Sequence, residues 1–287
     1  MTTGRAKTWT TERRAKADVT HDRSGAVGVT DTTATGTDDA ALARALADAA
    51  GELLLQLRAN ADDLDPRGLR DRGDASAHAL LVARLADARP SDAVLSEEGK
   101  DDPARLRAQR VWIVDPLDGT REYGEAGRSD WAVHVALWER GELTAGAVAL
   151  PALGTTLSTA DPRPMPAPRP GPVRIAVSRT RPPELVRRLA ALLDVELVPM
   201  GSAGAKVSAV VLGDVDAYVH GGGQYEWDSA APVAVARAAG AHASRLDGSP
   251  LVYNRPDPLL PDLVVCRPEL ARDLLDAIRR TTEEGAA

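Results

Sequence analysis

The stretch Val111-Trp112-Ile113-Val114-Asp115-Pro116-Leu117-Asp118-Gly119-Thr120 constrains this chain more than any other. Its unbroken apolar run predicts a buried strand. Proline and glycine end the run at once, so Asp115 is delivered at the carboxyl end of the strand, where α/β sheets place their ligands. Pro116 forces a turn, and Asp118 returns to the same side.

Two carboxylates that close repel one another unless something positive lies between them. Oxygen ligands without a nearby His or Cys cluster suit a hard cation such as Mg²⁺ rather than zinc. Gly119 and Thr120 then present backbone N–H groups at a predicted helix start, a ready place for an anion. Carboxylates for Mg²⁺ beside amides for phosphate describe a phosphoryl-transfer site, in which two cations about 4 Å apart stabilise both the attacking and the leaving oxygen.

Further acids fall at comparable places. Glu97 and Glu98 follow the predicted short strand of AVLSEEG, and Asp228 in Trp227-Asp228-Ser229 stands where a helix should begin. Asp74 opens a predicted second helix, GDASAHALLVARLADARP, stopped by Pro90. Taken singly, Asp228 and Asp74 read as helix caps, Glu97-Glu98 as a solvated loop, and the Asp-Pro and Asp-Gly pairs as turn formers. Their joint occurrence with DPLDGT favours one shared site.

The rest of the chain sorts into halves. Residues 1–36 are rich in Thr, Gly, Asp and Arg and read as a flexible arm. From Thr37 a helix carries Leu42, Leu46, Leu53 and Leu57 at helical spacing, ended by the break at Asp65-Pro66 and Gly68. WAVHVALWERGELTAGAVAL reads as two strands joined at Arg140-Gly141, completing an α+β half over 37–160. Residues 161–172, DPRPMPAPRPGP, are a semi-rigid connector. Strands and helices then alternate over 173–281, the α/β signature, before a short tail at 282–287.

Composition narrows the function classes. The chain has 287 residues, room for a large core without staples, but no Phe, so that core must be Leu, Val, Ala and a few Trp and Tyr. A net charge of −7 argues against a general nucleic-acid binder, though not against one small anionic substrate. The single Cys266 lies in the apolar run DLVVC and reads as a buried, inert thiol. The basic N-terminus lacks an apolar stretch, and no window approaches the roughly 18 apolar residues of a membrane span, so a soluble cytoplasmic protein is expected. His78, His134 and His242 read as structural and His220 as a loop histidine before Gly221-Gly222-Gly223, whose spacing fits neither a Rossmann turn nor a P-loop.

In their order, SEEG, WIVDPLDGT and WDSAAPVAVARAAG resemble the inositol monophosphatase superfamily of Mg²⁺-dependent, lithium-sensitive phosphatases, from about Thr37 to Arg280. Asp-Gly-Thr is followed by Arg121-Glu122-Tyr123, which looks like the CysQ-type branch cleaving 3′-phosphoadenosine 5′-phosphate; inositol phosphatases usually carry Thr-Asn-Phe there. AVLSEEG, GRSDWAVHVALW, SRTRPP, GSAGAK and YEWDSAAP look like actinobacterial members of that branch, and Glu125 alone is off pattern. The resemblance implies an α/β fold, a layered αβαβα sandwich with an α+β N-terminal half, an α/β C-terminal half and the site between them. It implies that Glu97, Asp115 and the Leu117 carbonyl hold one Mg²⁺, and Asp115, Asp118 and Asp228 a second. Asp74 would pair with Thr120 to orient the attacking water and, with Glu97, help hold a third, weaker ion. Gly119 and Thr120 would bind the scissile phosphate, while Arg121, Ser202 and Lys206 would line the nucleotide side. Lys206 is the implied contact to the second phosphate, with a solvated helix lysine as the alternative.

DPRGLRDRGD lacks the Lys and Pro-Val-Thr segment that many members carry before the equivalent of Asp74. The implied activity is Mg²⁺-dependent hydrolysis of the 3′-phosphate of 3′-phosphoadenosine 5′-phosphate, inhibited by Li⁺ and supporting sulfate assimilation. The partner would be a nucleotide bisphosphate, with neither a nucleic-acid polymer nor a membrane, and a homodimer is allowed. The rivals are an inositol monophosphatase or fructose-1,6-bisphosphatase of the same fold, and a nucleotide sensor without turnover, against which the intact set of acids speaks.

Overall fold

The computed structural model describes residues 34–61, 64–180 and 184–284. Residues 1–33 of the expected arm, and 285–287 of the expected tail, lie outside the described residues. Helix α1 (Ala34–Ala59) and helix α2 (Pro66–Ala88) precede a five-stranded sheet of order β1-β2-β3-β4-β5. Its strands are β1 (Ala93–Ser96), β2 (Arg110–Asp118), β3 (Ala132–Glu139), β4 (Glu142–Leu150) and β5 (Thr155–Ser158). The first pair is parallel and the others antiparallel. The hairpin between β3 and β4 turns at Arg140-Gly141, as expected.

After the proline-rich 161–172, which holds no helix or strand, a second sheet of order β10-β12-β8-β6-β7 is built from β6 (Val173–Ser178), β7 (Val195–Met200), β8 (Ala217–His220), β10 (His242–Ser244) and β12 (Leu263–Cys266). Helices α4 (Glu184–Leu192), α5 (Ala203–Leu212), α6 (Glu226–Ala238) and α7 (Ala271–Glu284) alternate with its strands, and β9 (Gln224–Tyr225) pairs separately with β11 (Leu259–Leu260). A five-residue helix α3 (Thr120–Gly124) follows β2.

Side-chain alternation sets the layers. On β2, Trp112 and Val114 face α1 and α2 and pack with Ala47, Leu54 and Leu81. Val111 and Ile113 face the other way, onto Val207 and Val210 of α5 and Ala230 and Val233 of α6. The inner face of the second sheet, with Ala176, Tyr218 and Val265, closes the same cluster. Its outer face packs Ile175, Val219 and Cys266 on Val186 and Leu189 of α4 and Leu274 and Ile278 of α7. The result is the expected αβαβα stack, with α5 and α6 sandwiched between the sheets. In place of Phe, Ala and Val fill the middle layer, and small side chains let helices approach a sheet closely. Buried in this way, the Cys266 thiol is pushed up to about 12, as an inert cysteine should be. Among the described residues no helix is long and apolar enough to cross a membrane.

The start of α2 departs from the expectation. Asp65 is its N-cap and accepts the Gly68 N–H at 2.7 Å, with Pro66 in the first turn. The Asp65-Pro66-Gly68 signal thus starts a helix rather than marking a break. Asp74 consequently sits inside α2, two turns from its start, and is not a cap.

Candidate active site

The end of β2 is shaped by its pairing with β3. The register shifts between Asp115 and Asp118, so the two acids pair with His134 and Ala132 while Pro116 and Leu117 bulge. Asp115 is almost wholly buried and takes the Leu117 N–H on Oδ1 at 3.0 Å. Gly119 then adopts φ 85°, a left-handed conformation that glycine accepts without strain, and begins α3.

Asp118 is anchored by the middle layer. Its Oδ2 accepts the Ser202 hydroxyl and, at 2.6 Å, the Gly204 N–H, both from the start of α5. His134 Nε2 stands 3.2 Å from the same oxygen. Burial pushes the Asp118 carboxyl up, but the His134 ring, Ser202 and Gly204 outweigh it and hold it at about 2. Asp228 enters from α6, where its Oδ2 accepts the Tyr225 N–H at 2.6 Å. One oxygen from each of Asp115, Asp118 and Asp228 lies within 4.8 Å of the others.

Glu97, just past β1, approaches this trio. The residue as a whole is exposed, yet its carboxyl is pushed up to about 7 by desolvation and by Asp228, Asp118 and Asp74, against a hydrogen bond with Asp115. Desolvation, and then the charges of Glu97, Asp118 and Asp228, raise Asp115 well above the carboxylate range. Burial, with Asp118 beside it, brings Asp228 to about 6. Asp74 is raised to about 7 by burial and by Glu98 and Asp71. The expected pairing of Thr120 with Asp74 is not made, because the Thr120 hydroxyl donates to the Leu117 carbonyl at 3.0 Å.

Gly119, Thr120, Arg121, Ser202 and Lys206 line one cavity of about 260 Å³, together with Arg179 and Met200. A roomier groove of about 350 Å³ beside β5, lined by Arg44, Thr156 and Arg163, contains none of the predicted residues. Lys206 is not a solvated lysine. It is 6% exposed, donates to the Ser202 carbonyl at 2.7 Å and lies 5.2 Å from the centre of the Tyr218 ring. Burial pushes its amine down against the pull of Asp118, Glu122 and Asp228. The Ser202 hydroxyl also accepts the Ala205 N–H, so it caps α5 while gripping Asp118.

Sequence reasoning missed Arg179 and the placement of His134. Arg179 follows β6 and bridges Glu122 at 2.9 Å and Glu125 at 2.8 Å, tying the cavity wall to α3. This ion pair gives the off-pattern Glu125 a partner. The signal for His134 was its position in the predicted hairpin strand, whose pairing with β2 sets it opposite Asp115.

A family model described as "Inositol monophosphatase family" matches residues 37–283. The chain is 57% identical over 253 residues to a protein of Mycobacterium leprae named 3′-phosphoadenosine 5′-phosphate phosphatase, covering 84% of this chain and 93% of that one. It is 32% identical over 227 residues to the 3′(2′),5′-bisphosphate nucleotidase CysQ of Escherichia coli K12, covering 72% and 91%. Among solved structures, CysQ from Bacteroides thetaiotaomicron superposes with a TM-score of 0.70 at 28% identity, covering 80% of this chain and 97% of that one.

Proposed function

The chain belongs to the inositol monophosphatase family, and from that premise we propose that it is a Mg²⁺-dependent phosphatase that removes the 3′-phosphate of 3′-phosphoadenosine 5′-phosphate, giving AMP and phosphate. The observation that carries the reading is the convergence of Asp115, Asp118 and Asp228, with Asp118 held by Ser202, which lines a cavity together with Gly119, Thr120 and Lys206. Identity of 57% to a relative named for this reaction supports the substrate.

The donor set fits a hard divalent cation. Its ligand atoms are carboxylate oxygens, two of the three acids are buried, and burial together with their crowding pushes Asp115 and Asp228 toward protonation, an imbalance that a cation relieves. Glu97, Asp115 and the Leu117 carbonyl would hold one ion, and Asp115, Asp118 and Asp228 a second. The Leu117 oxygen can serve while accepting Thr120, because a carbonyl has two lone pairs. Bound there, Mg²⁺ supplies Lewis acidity that makes water a nucleophile near neutral pH and neutralises charge on the phosphoryl group.

The chain's own residues bind and orient. Gly119 and Thr120 line the cavity, where their N–H groups would donate to oxygens of the scissile phosphate, in the manner of electrostatic preorganisation. Lys206, with Arg121 at the cavity wall, supplies the charge for the second phosphate. Asp74, with a carboxyl near 7, is suited to accept a proton from the attacking water. Reaching that role requires the Thr120 hydroxyl to turn from Leu117 toward it. A third, weaker ion between Asp74 and Glu97 belongs to the same reading, as do inhibition by Li⁺, a place in sulfate assimilation and a cytoplasmic location.

A phosphate-release panel tests this directly. The expected result is Mg²⁺-dependent release with the highest kcat/KM on 3′-phosphoadenosine 5′-phosphate, suppressed by Li⁺. A preference for inositol phosphate or fructose 1,6-bisphosphate would overturn the substrate, and turnover in EDTA would overturn the cation.

A further inference from the structure

We propose that His134 is a positioning residue that sets Asp118 and the start of α6 for the divalent cation. The inference rests on the cation reading above. His134 is wholly buried on β3, opposite Asp115. Its Nδ1–H donates to the Trp227 carbonyl at 3.0 Å, one residue before Asp228. Its Nε2 lies 3.2 Å from Asp118 Oδ2, an ion-pair contact without hydrogen-bond geometry. One rigid ring therefore spans β2 and α6, the two elements that bring Asp118 and Asp228 together.

The ring is confined as well as bonded. A Cβ added to Gly204 would fall 2.0 Å from Nε2, so α5 packs its bare glycine against the imidazole. The Ser202 hydroxyl, the Gly204 N–H and His134 Nε2 all converge on Oδ2 of Asp118. Among the described residues none donates to Oδ1. That leaves Oδ1 as the oxygen presented to the cation. A histidine that merely filled the core would need the Trp227 bond but not a second nitrogen within ion-pair distance of a candidate ligand. Outer-shell partners of this kind typically govern metal affinity by about 10–100-fold.

The test measures Mg²⁺ binding by calorimetry on the full chain, with Mn²⁺ binding by electron paramagnetic resonance as a second readout, beside kcat and KM. His134→Val should weaken Mg²⁺ binding by about tenfold or more, while KM at saturating Mg²⁺ moves by less than about twofold. His134→Asn, which keeps a donor but cannot span both partners, should recover part of the affinity. Gly204→Ala should displace the ring without removing it, and weaken binding in the same sense. Should the valine variant fail to fold, His134→Asn and Gly204→Ala decide the matter. Folded variants that bind Mg²⁺ within about twofold of wild type would overturn the positioning role and leave the cation reading intact. A wild-type protein that binds neither ion would overturn both.

Discussion

Removing the divalent cation should make the folded protein lose stability as pH rises from 5 to 8. A carboxyl whose pKa is raised by folding holds its proton longer in the native than in the unfolded chain. Between its two pKa values the native state binds more protons, so stability falls with pH. Asp228 moves from 3.8 to about 6, and the part of that shift lying above pH 5 is roughly one pH unit, or about 1.4 kcal/mol. Asp115 shifts in the same direction from a more deeply buried position. Asp74 and Glu97 are raised to about 7, but both reach solvent, which screens their share. His134 adds to the trend: its folded pKa is raised, despite burial, by Asp118, so its stabilisation is present at low pH and lost as pH rises. Asp118, held at about 2, stays ionised throughout this window and contributes no slope. At about 2–4 °C per kcal/mol for a domain of this size, the Asp228 share is a fall in Tm of roughly 3–6 °C between pH 5 and 8. Mg²⁺ binds the ionised cluster and should reverse the trend, adding about 2.7 kcal/mol at a hundred times its Kd. Calorimetric melts in EDTA and in Mg²⁺, at pH 5 and 8, read both slopes, and Asp228→Asn should flatten the one in EDTA. A Tm that is level or rises with pH in EDTA would refute the reasoning.

Three further outcomes are expected. Asp118→Asn puts an NH₂ beside the donors at Ser202 and Gly204 and removes the charge next to His134, and should cut kcat/KM by about 10³-fold or more, with far-UV circular dichroism confirming the fold. Lys206→Met should raise KM for the bisphosphate by about 10–100-fold, the worth of one charged hydrogen bond, and leave a 3′-monophosphate nearly unaffected. Because it also removes a buried amine, its Tm should hold or rise, as a melt will show. Gly119→Ala should cost about 1–2 kcal/mol from its left-handed φ of 85°. The added Cβ would also come within 3.1 Å of the Asp130 carbonyl, so kcat should fall by more than the change in Tm accounts for.

What the sequence disclosed and what it hid have physical reasons. The apolar run of β2 announced a buried strand, and its acids are where an α/β strand end would put them. Local chemistry sufficed there, since Pro116 and Gly119 act on their own backbone. The start of α2 was misread because Asp-Pro followed by Gly is both a turn signal and a helix start. Only the Asp65 side chain on the Gly68 N–H resolves it. The correction also places Asp74: the first two turns of α2, rather than a preceding Pro-Val-Thr segment, carry it to the site, with Gly73 packed on Tyr123. His134 was illegible because a lone histidine within an apolar strand reads as core. Its meaning comes from α5 and α6, which arrive 70 and 93 residues later at Gly204 and Trp227.

Cap and ligand were set against each other as readings of Asp228, and the geometry removes the opposition. A carboxylate has two oxygens. Asp115 gives one to the Leu117 N–H, Asp118 one to the Gly204 N–H, and Asp228 one to the Tyr225 N–H. Each acid is thereby fixed to backbone through one oxygen, and one oxygen of each lies within 4.8 Å of the others. These bonds lock the side chains before any cation arrives, so little rotamer entropy remains to be lost on binding. They also offset part of the repulsion that would otherwise drive the acids apart. The residue type that makes a good N-cap is the one that suits Mg²⁺, because both uses ask for a short side chain with a charged, twofold acceptor. A site assembled from caps and turn acids is therefore what economical folding of such a sheet end produces, and the structural reading of each acid is the condition for its chemistry.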